Sequence, residues 1–240
     1  MGTDGMLLMD DDAPSPTAKK PVGIKRVSAS QQIHDALRER IVSLEFKPGQ
    51  ALSRADLAHD YGVSQTPVRD AMLKLEEEGL LVIFPQSKTE VSKIDLVHAR
   101  ETQFLRLSLE LEVVRRLVEQ DPTGVAAAQA VLSRQERALA DGDMEQFAAL
   151  DHKFHQSLCE AAGVGNLWQL ITSRSGHINR LRNLNLPDPG KPANILRYHH
   201  AILDAIVRKD PEMLEKAVRE HLSGTVAMVD PIVARYPDYF

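Results

Sequence analysis

Four side chains in the C-terminal half have the types and spacing to hold a transition metal. Asp151 and His155 lie four residues apart, a spacing that stacks both on one face of a helix, one turn apart. Leu150, Phe154 and Leu158 surround them, which turns that face toward an interior where a carboxylate and an imidazole need partners. His199 and His221 follow, each inside an apolar stretch. One Asp and three His brought from three helices form a ligand set for a single divalent ion, Zn²⁺, Ni²⁺, Mn²⁺ or Fe²⁺, with no choice among them. Spacing alone leaves a plainer alternative open. Nine histidines in 240 residues supply many chance pairings, and a buried His bonded to backbone is the commoner case. His34, His59, His98 and His177 read as surface or packing residues, and His152 and His200 point elsewhere on their helices.

A second set of residues could bind an anion. Arg106 precedes Glu110 by four residues, so its guanidinium can clamp the carboxylate of a bound acid or pair with Glu110 along the helix. Asn179 and Arg180 are further candidates for lining such a pocket. A third set, Ser64, Gln65, Thr66 and Arg69, opens a helix. There short polar side chains and backbone N–H groups can meet phosphates, and an arginine can reach a guanine edge. Taken as an isolated helix, the same residues would be an ordinary solvated face.

The elements that must position these groups follow from periodicity and breakers. Ile33, Leu37, Ile41 and Leu44 mark a helix over 28–44, ended by Lys47-Pro48-Gly49. A short helix runs over 53–61, and a third over 64–78, with Pro67 in its first turn and Gly79 closing it. The β-prone run 80–84, the turn 85–88 and the return 89–92 make a hairpin. Helices and hairpin together predict a winged helix-turn-helix whose third helix enters the major groove. From 94 onward the spacing predicts helices over 95–120, 123–140, 143–162, 166–186, 192–208 and 211–236, an antiparallel all-α bundle. The fold class is thus mainly α. The expected division is a disordered tail over 1–18, a DNA-binding domain over 19–93 and a sensor domain over 94–240.

Composition narrows the function classes. The 43% hydrophobic and 26% charged fractions are those of a globular protein, and no apolar run approaches the roughly 18 residues of a membrane helix. Cys159 is the one cysteine, so there is no disulfide framework, which suits a reducing cytoplasm. In an apolar helical pattern it reads as core filler. The net charge is −5, yet residues 19–95 carry 12 Lys and Arg against 11 Asp and Glu. A near-neutral module can still bind DNA when its cations share one face.

The stretch Leu57-Ala58, Tyr61 through Met72, Leu75 and Glu78-Gly79-Leu80 closely resembles the DNA-binding signature of GntR-type regulators. Arg106, Glu110, Asp151-x-x-x-His155, Asn166-Leu167, His199 ahead of Ala201 through Ile206, Asp210 and Glu220-His221-Leu222 resemble the helical, metal-containing (FCD) sensor domain of the FadR subgroup. The resemblance implies that Asp151, His155, His199 and His221 ligate the metal. It also implies that a small organic acid, such as a sugar acid or dicarboxylate, binds beside it with Arg106 as clamp. Arg54, Ser64, Gln65, Thr66, Arg69 and Lys88 are then the expected DNA contacts. Three positions depart from the family: Gln65 where Arg is frequent, Arg54 where an acid is common, and Ser87-Lys88 where the wing usually carries Arg-Gly. Without that glycine the wing backbone enters a minor groove less easily.

The expected function is a homodimeric cytoplasmic transcription regulator that reads an imperfect palindrome and is switched by its acid ligand. Two rivals use the same residues. One is a metalloenzyme, which an open coordination position would allow but which lacks a well-placed general base. The other is a purely structural metal.

Overall fold

The computed structural model describes residues 1–2, 27–119, 122–186 and 190–240. Past its first two residues, the tail expected over 1–18 lies outside the described residues, as do Asp121 and 187–189 of the expected breaks.

The N-terminal unit is the winged helix that the periodicity predicts. Helix α1 (Ala29–Val42) starts where the Ser28 hydroxyl accepts from the Gln31 N–H, and it buries Ile33, Leu37 and Ile41. Helix α2 (Arg54–Asp60) is capped by Ser53. Helix α3 (Gln65–Glu77) buries Val68, Ala71, Met72 and Leu75. It stops at Gly79, whose φ of +74° is open to glycine at little steric cost. Strands β2 (Leu81–Ile83) and β3 (Thr89–Val91) form the hairpin. A further strand, β1 (Ala51–Leu52), pairs antiparallel with β3, so the sheet order is β1-β3-β2. Two residues carry no readable period; β1 exists because β3 offers it an edge, with Val91 N–H bonded to Gln50 O at 2.9 Å.

The C-terminal unit is helical throughout its described residues. Its elements are α4 (Leu96–Glu119), α5 (Ala126–Ala140), α6 (Met144–Ala161), α7 (Gly165–Arg174), α8 (Gly176–Asn185), α9 (Lys191–Arg208), α10 (Pro211–Ser223) and α11 (Val229–Arg235). No described helix is long and apolar enough to cross a membrane. Two expected helices are broken. The helix expected over 166–186 divides at Ser175, whose Oγ bonds back to the Ile171 carbonyl at 2.6 Å and so competes with the helical ladder. The helix expected over 211–236 ends at Ser223 and resumes only at Val229. A Ser-Gly pair stands at each break, Ser175-Gly176 and Ser223-Gly224, a local turn signal that the apolar period on either side hides.

Each unit has its own apolar core, and a third cluster with Ile94, Ala99, Ile178, Leu181 and Ile232 sits where they meet. The junction is polar as well. Arg180 is fully buried, and its Nη1 donates to Ser92 O at 2.7 Å. Arg38 of α1 donates to Thr172 O at 2.5 Å, and Asn183 of α8 donates to Val42 O at 2.8 Å. Gly176 lies so close to Leu80 that an added Cβ would fall 2.5 Å from Leu80 Cδ2.

Candidate functional site

Three helices deliver the metal-type cluster. Asp143 caps α6 by accepting from Gln146 N–H, and Asp210 caps α10 by accepting from Met213 N–H. These caps start the helices at fixed residues, and one turn of rise then sets Asp151 and His155 on one face of α6. His199 comes from the buried face of α9 and His221 from that of α10. All four side chains are buried, and one ligating atom from each lies within 4.8 Å of the others. His155 Nε2 stands 3.0 Å from His221 Nε2, and His199 Nε2 stands 3.2 Å from the same atom. Asp151 Oδ1 is 3.5 Å from His199 Nε2 and otherwise lacks a partner.

The far nitrogens explain why the near ones converge. His199 Nδ1 faces Gln135 Oε1 at 2.8 Å, and His155 Nδ1 faces Glu110 Oε2 at 2.6 Å. The Gln135 oxygen calls for a proton on His199 Nδ1, and the carboxylate beside His155 Nδ1 favours one there although the contact falls outside hydrogen-bond geometry; each ring then turns an Nε2 lone pair into the cluster. His221 Nδ1 has no partner. An N–H on His221 Nε2 could satisfy one of the two facing lone pairs but not both.

Burial keeps the His199 and His221 imidazoles neutral, and neighbouring cations keep the two acids charged. Burial holds the His199 ring down at about 3 and the His221 ring well below its ordinary value. Burial alone would raise Glu110, but the Arg106 charge and the contact with His155 outweigh it and hold the carboxyl at about 2. Asp151 is likewise held well below the carboxylate range, chiefly because Arg182 outweighs its desolvation. Burial pushes the Cys159 thiol up to about 12, so this buried side chain packs rather than reacts.

Arg106 pairs with Glu110 through Nε while its Nη2 is buried without a partner. The intrahelical ion pair is real, but it is buried rather than on the surface, and it leaves one donor unused. Arg182 and Gln135 were not foreseen. Arg182 Nη2 bonds Asp151 Oδ2 while its Nη1 is unpartnered. Gln135 could have been noticed as a polar residue in the stripe Ala128, Val131, Leu132, Ala138. Arg182 carried no such signal, since the α7–α8 break decides its direction. A cavity of about 480 Å³ adjoins the cluster and is lined in part by Arg106, Asp151, Asn179, Arg182 and His221. His152 also lines it, held down at about 3 by burial and by Arg182, but it stays outside the cluster. Arg180 turns the other way, into the junction with the winged helix.

On the winged helix, Ser64, Gln65, Thr66 and Arg69 are exposed together at the start of α3, and Arg54 is exposed at the start of α2. The Ser64 hydroxyl makes no cap bond to its own helix. Lys88 sits at the hairpin tip, paired with Glu90 and 5.2 Å from the Phe84 ring centroid.

Comparison with known proteins agrees with this architecture. Residues 29–91 match the family described as bacterial regulatory proteins, gntR family, and residues 101–224 match the FCD domain. The chain belongs to the GntR family of bacterial regulators and carries an FCD domain. An HTH-type transcriptional regulator of an unstable DNA locus in Streptomyces ambofaciens is 37% identical to it over 88% of this chain and 89% of its own. The HTH-type transcriptional repressor RspR of Escherichia coli K12 is 31% identical, over 88% of this GntR/FCD chain and 93% of its own. Among solved structures, E. coli McbR/YncC superposes with a TM-score of 0.71 at 25% identity, covering 88% of this chain and all of that one. The relatives and the fold are those of transcription regulators, not enzymes.

Proposed function

We propose that this GntR/FCD regulator binds one divalent first-row transition ion through Asp151, His155, His199 and His221. A small carboxylate bound next to that site would control its affinity for operator DNA. The observation that carries the reading is the convergence of Nε2 atoms whose rings are oriented from behind by Gln135 and Glu110. Separations of 3.0 and 3.2 Å are edges of a coordination polyhedron with metal–nitrogen bonds of roughly 2.1 Å. Without a cation, facing lone pairs and the unpartnered Asp151 Oδ1 would be buried at a cost. Zn, Ni, Mn and Fe all suit this donor set. When bound, such an ion supplies positive charge and open positions for a carboxylate oxygen. Arg106 Nη2 and Arg182 Nη1 then offer the second and third contacts to that carboxylate.

In this reading Arg54, Ser64, Gln65, Thr66, Arg69 and Lys88 meet DNA, with α3 in the major groove. The chain acts in the cytoplasm as a homodimer on an imperfect palindrome, with 19–93 as its reader and 94–240 as its sensor. The test is elemental analysis of tag-free protein, wild type beside His199→Ala. About one equivalent of transition metal in the wild type, lost in the variant, supports the site. No metal in either after loading with Zn²⁺, Ni²⁺ and Mn²⁺ overturns it. DNA reading is tested separately: Arg69→Ala should weaken binding to the protein's own upstream region by about five- to a hundredfold.

A further inference from the structure

The cavity beside the cluster is not a property of the FCD domain alone. Asp35, Arg38, Glu39, Val42 and Ser43 of the α1 segment line it together with residues of the sensor helices. These positions fall on the face of α1 turned away from Ile33, Leu37 and Ile41, so the face that the reader's core does not use becomes a wall of the cavity. The buried groups Arg106, Asp151 and His221 mark its floor, and the exposed Asp35, Glu39, Ser43 and Glu145 mark its mouth.

Between floor and mouth the lining is apolar: Phe147, Ile178, Ile195 and Leu222 are buried, and Val42 and Leu186 are half-buried. A volume of about 480 Å³ falls within the range of drug-sized ligand sites and is far more than a two- or three-carbon acid fills. The charges are graded as well. The floor holds unused donors of Arg106 and Arg182. At the mouth stand Asp35, Glu39 and Glu145, with Lys191 and Arg38 as the lining's other cations. Arg38 is already paired with Glu78 at 2.7 Å, so a second carboxylate arriving at this end would meet mostly like charge.

We infer that the effector is a monocarboxylate with an apolar body, its carboxylate between Arg106 and Arg182 and its far end against α1 of the DNA-binding unit. The inference rests on the carboxylate-effector reading above and narrows it: dicarboxylates and very small acids fit this cavity less well. It also gives the ligand a direct contact with the reader, because Val42 and Arg38 belong both to the cavity wall and to the α1–sensor bonds at Asn183 and Thr172.

The experiment is calorimetric titration of the full-length protein with acetate, phenylacetate, 4-phenylbutyrate and the dicarboxylate suberate, for wild type and Ser43→Trp. Ser43 is exposed, so the indole fills the mouth without entering either core. Affinity should rise by about tenfold or more from acetate to 4-phenylbutyrate, with suberate weaker than 4-phenylbutyrate. Ser43→Trp should weaken 4-phenylbutyrate by about tenfold and leave acetate unchanged. Equal affinities along the series, tighter suberate, or an equal effect of Ser43→Trp on acetate and 4-phenylbutyrate each overturn the inference while leaving a carboxylate effector standing. Binding of no acid at all, acetate included, overturns the carboxylate reading and this inference with it.

Discussion

At the scale of single residues, His199 depends on Gln135. The amide oxygen takes the Nδ1 side of the ring at 2.8 Å, while the amide nitrogen donates to Phe147 O at 3.3 Å, so both ends of the glutamine are committed. Gln135→Leu removes the acceptor without adding bulk, and His199 loses the partner that aims Nε2 at the cluster. Metal affinity should fall roughly 10- to 100-fold, read by competition with a chromogenic chelator, while Gln135→Glu keeps an acceptor and most of the affinity. An unchanged affinity in Gln135→Leu would mean that the ring is oriented by packing alone. Asp151, His155, His199, His221 and Arg106 were all legible from type, spacing and resemblance. Arg182 was not, because its reach to Asp151 depends on where α8 begins.

At the scale of elements, α8 is the piece that periodicity read least well and packing uses most. Its N-terminus docks on the winged helix through Gly176 and His177, and Arg180 carries the contact to the linker. Gly176→Ala would force Leu80 aside and should cost about 1–3 kcal/mol, seen as a lowered denaturation midpoint; an unshifted midpoint would show that Leu80 yields freely. His177 adds a pH term. Its Nδ1 accepts from Asp95 N–H at 2.8 Å. Burial and then the Arg180 charge hold its pKa at about 4, with His98 lowering it further and Asp95 opposing. The unfolded ring titrates near 6.5. Stability from the neutral ring is therefore complete above about 6.5 and is lost progressively as pH falls toward 4, by an amount on the order of 3 kcal/mol. The melting temperature of His177→Gln should fall less between pH 7 and pH 5 than that of wild type; parallel curves would remove His177 from the account.

At the scale of the whole molecule, a winged helix and a helical bundle with separate cores share a polar junction, and both line the cavity beside the cluster. If the ion is bound as proposed, it stabilises only the folded bundle, by about 1.4 kcal/mol for each tenfold excess of free ion over its dissociation constant. Dialysis against a chelator should lower the melting temperature, re-addition of the ion should restore it, and His221→Ala should respond to neither. Melting curves by circular dichroism decide this, and a wild type indifferent to both steps would speak against a bound ion.

Local patterns in the chain were enough for the winged helix and for most of the sensor helices, while the grouping of Asp151 with His155, His199 and His221 came from the family resemblance. The hydrophobic period, the caps at Ser28, Ser53, Asp143 and Asp210 and the turn at Gly79 are near-neighbour effects. Tertiary structure alone decided β1, the pairing of Arg182 with Asp151 and the part of α1 in the cavity wall. Each of these joins groups distant in sequence, and their energies come from packing and from burying paired charges, which no short window of residues contains.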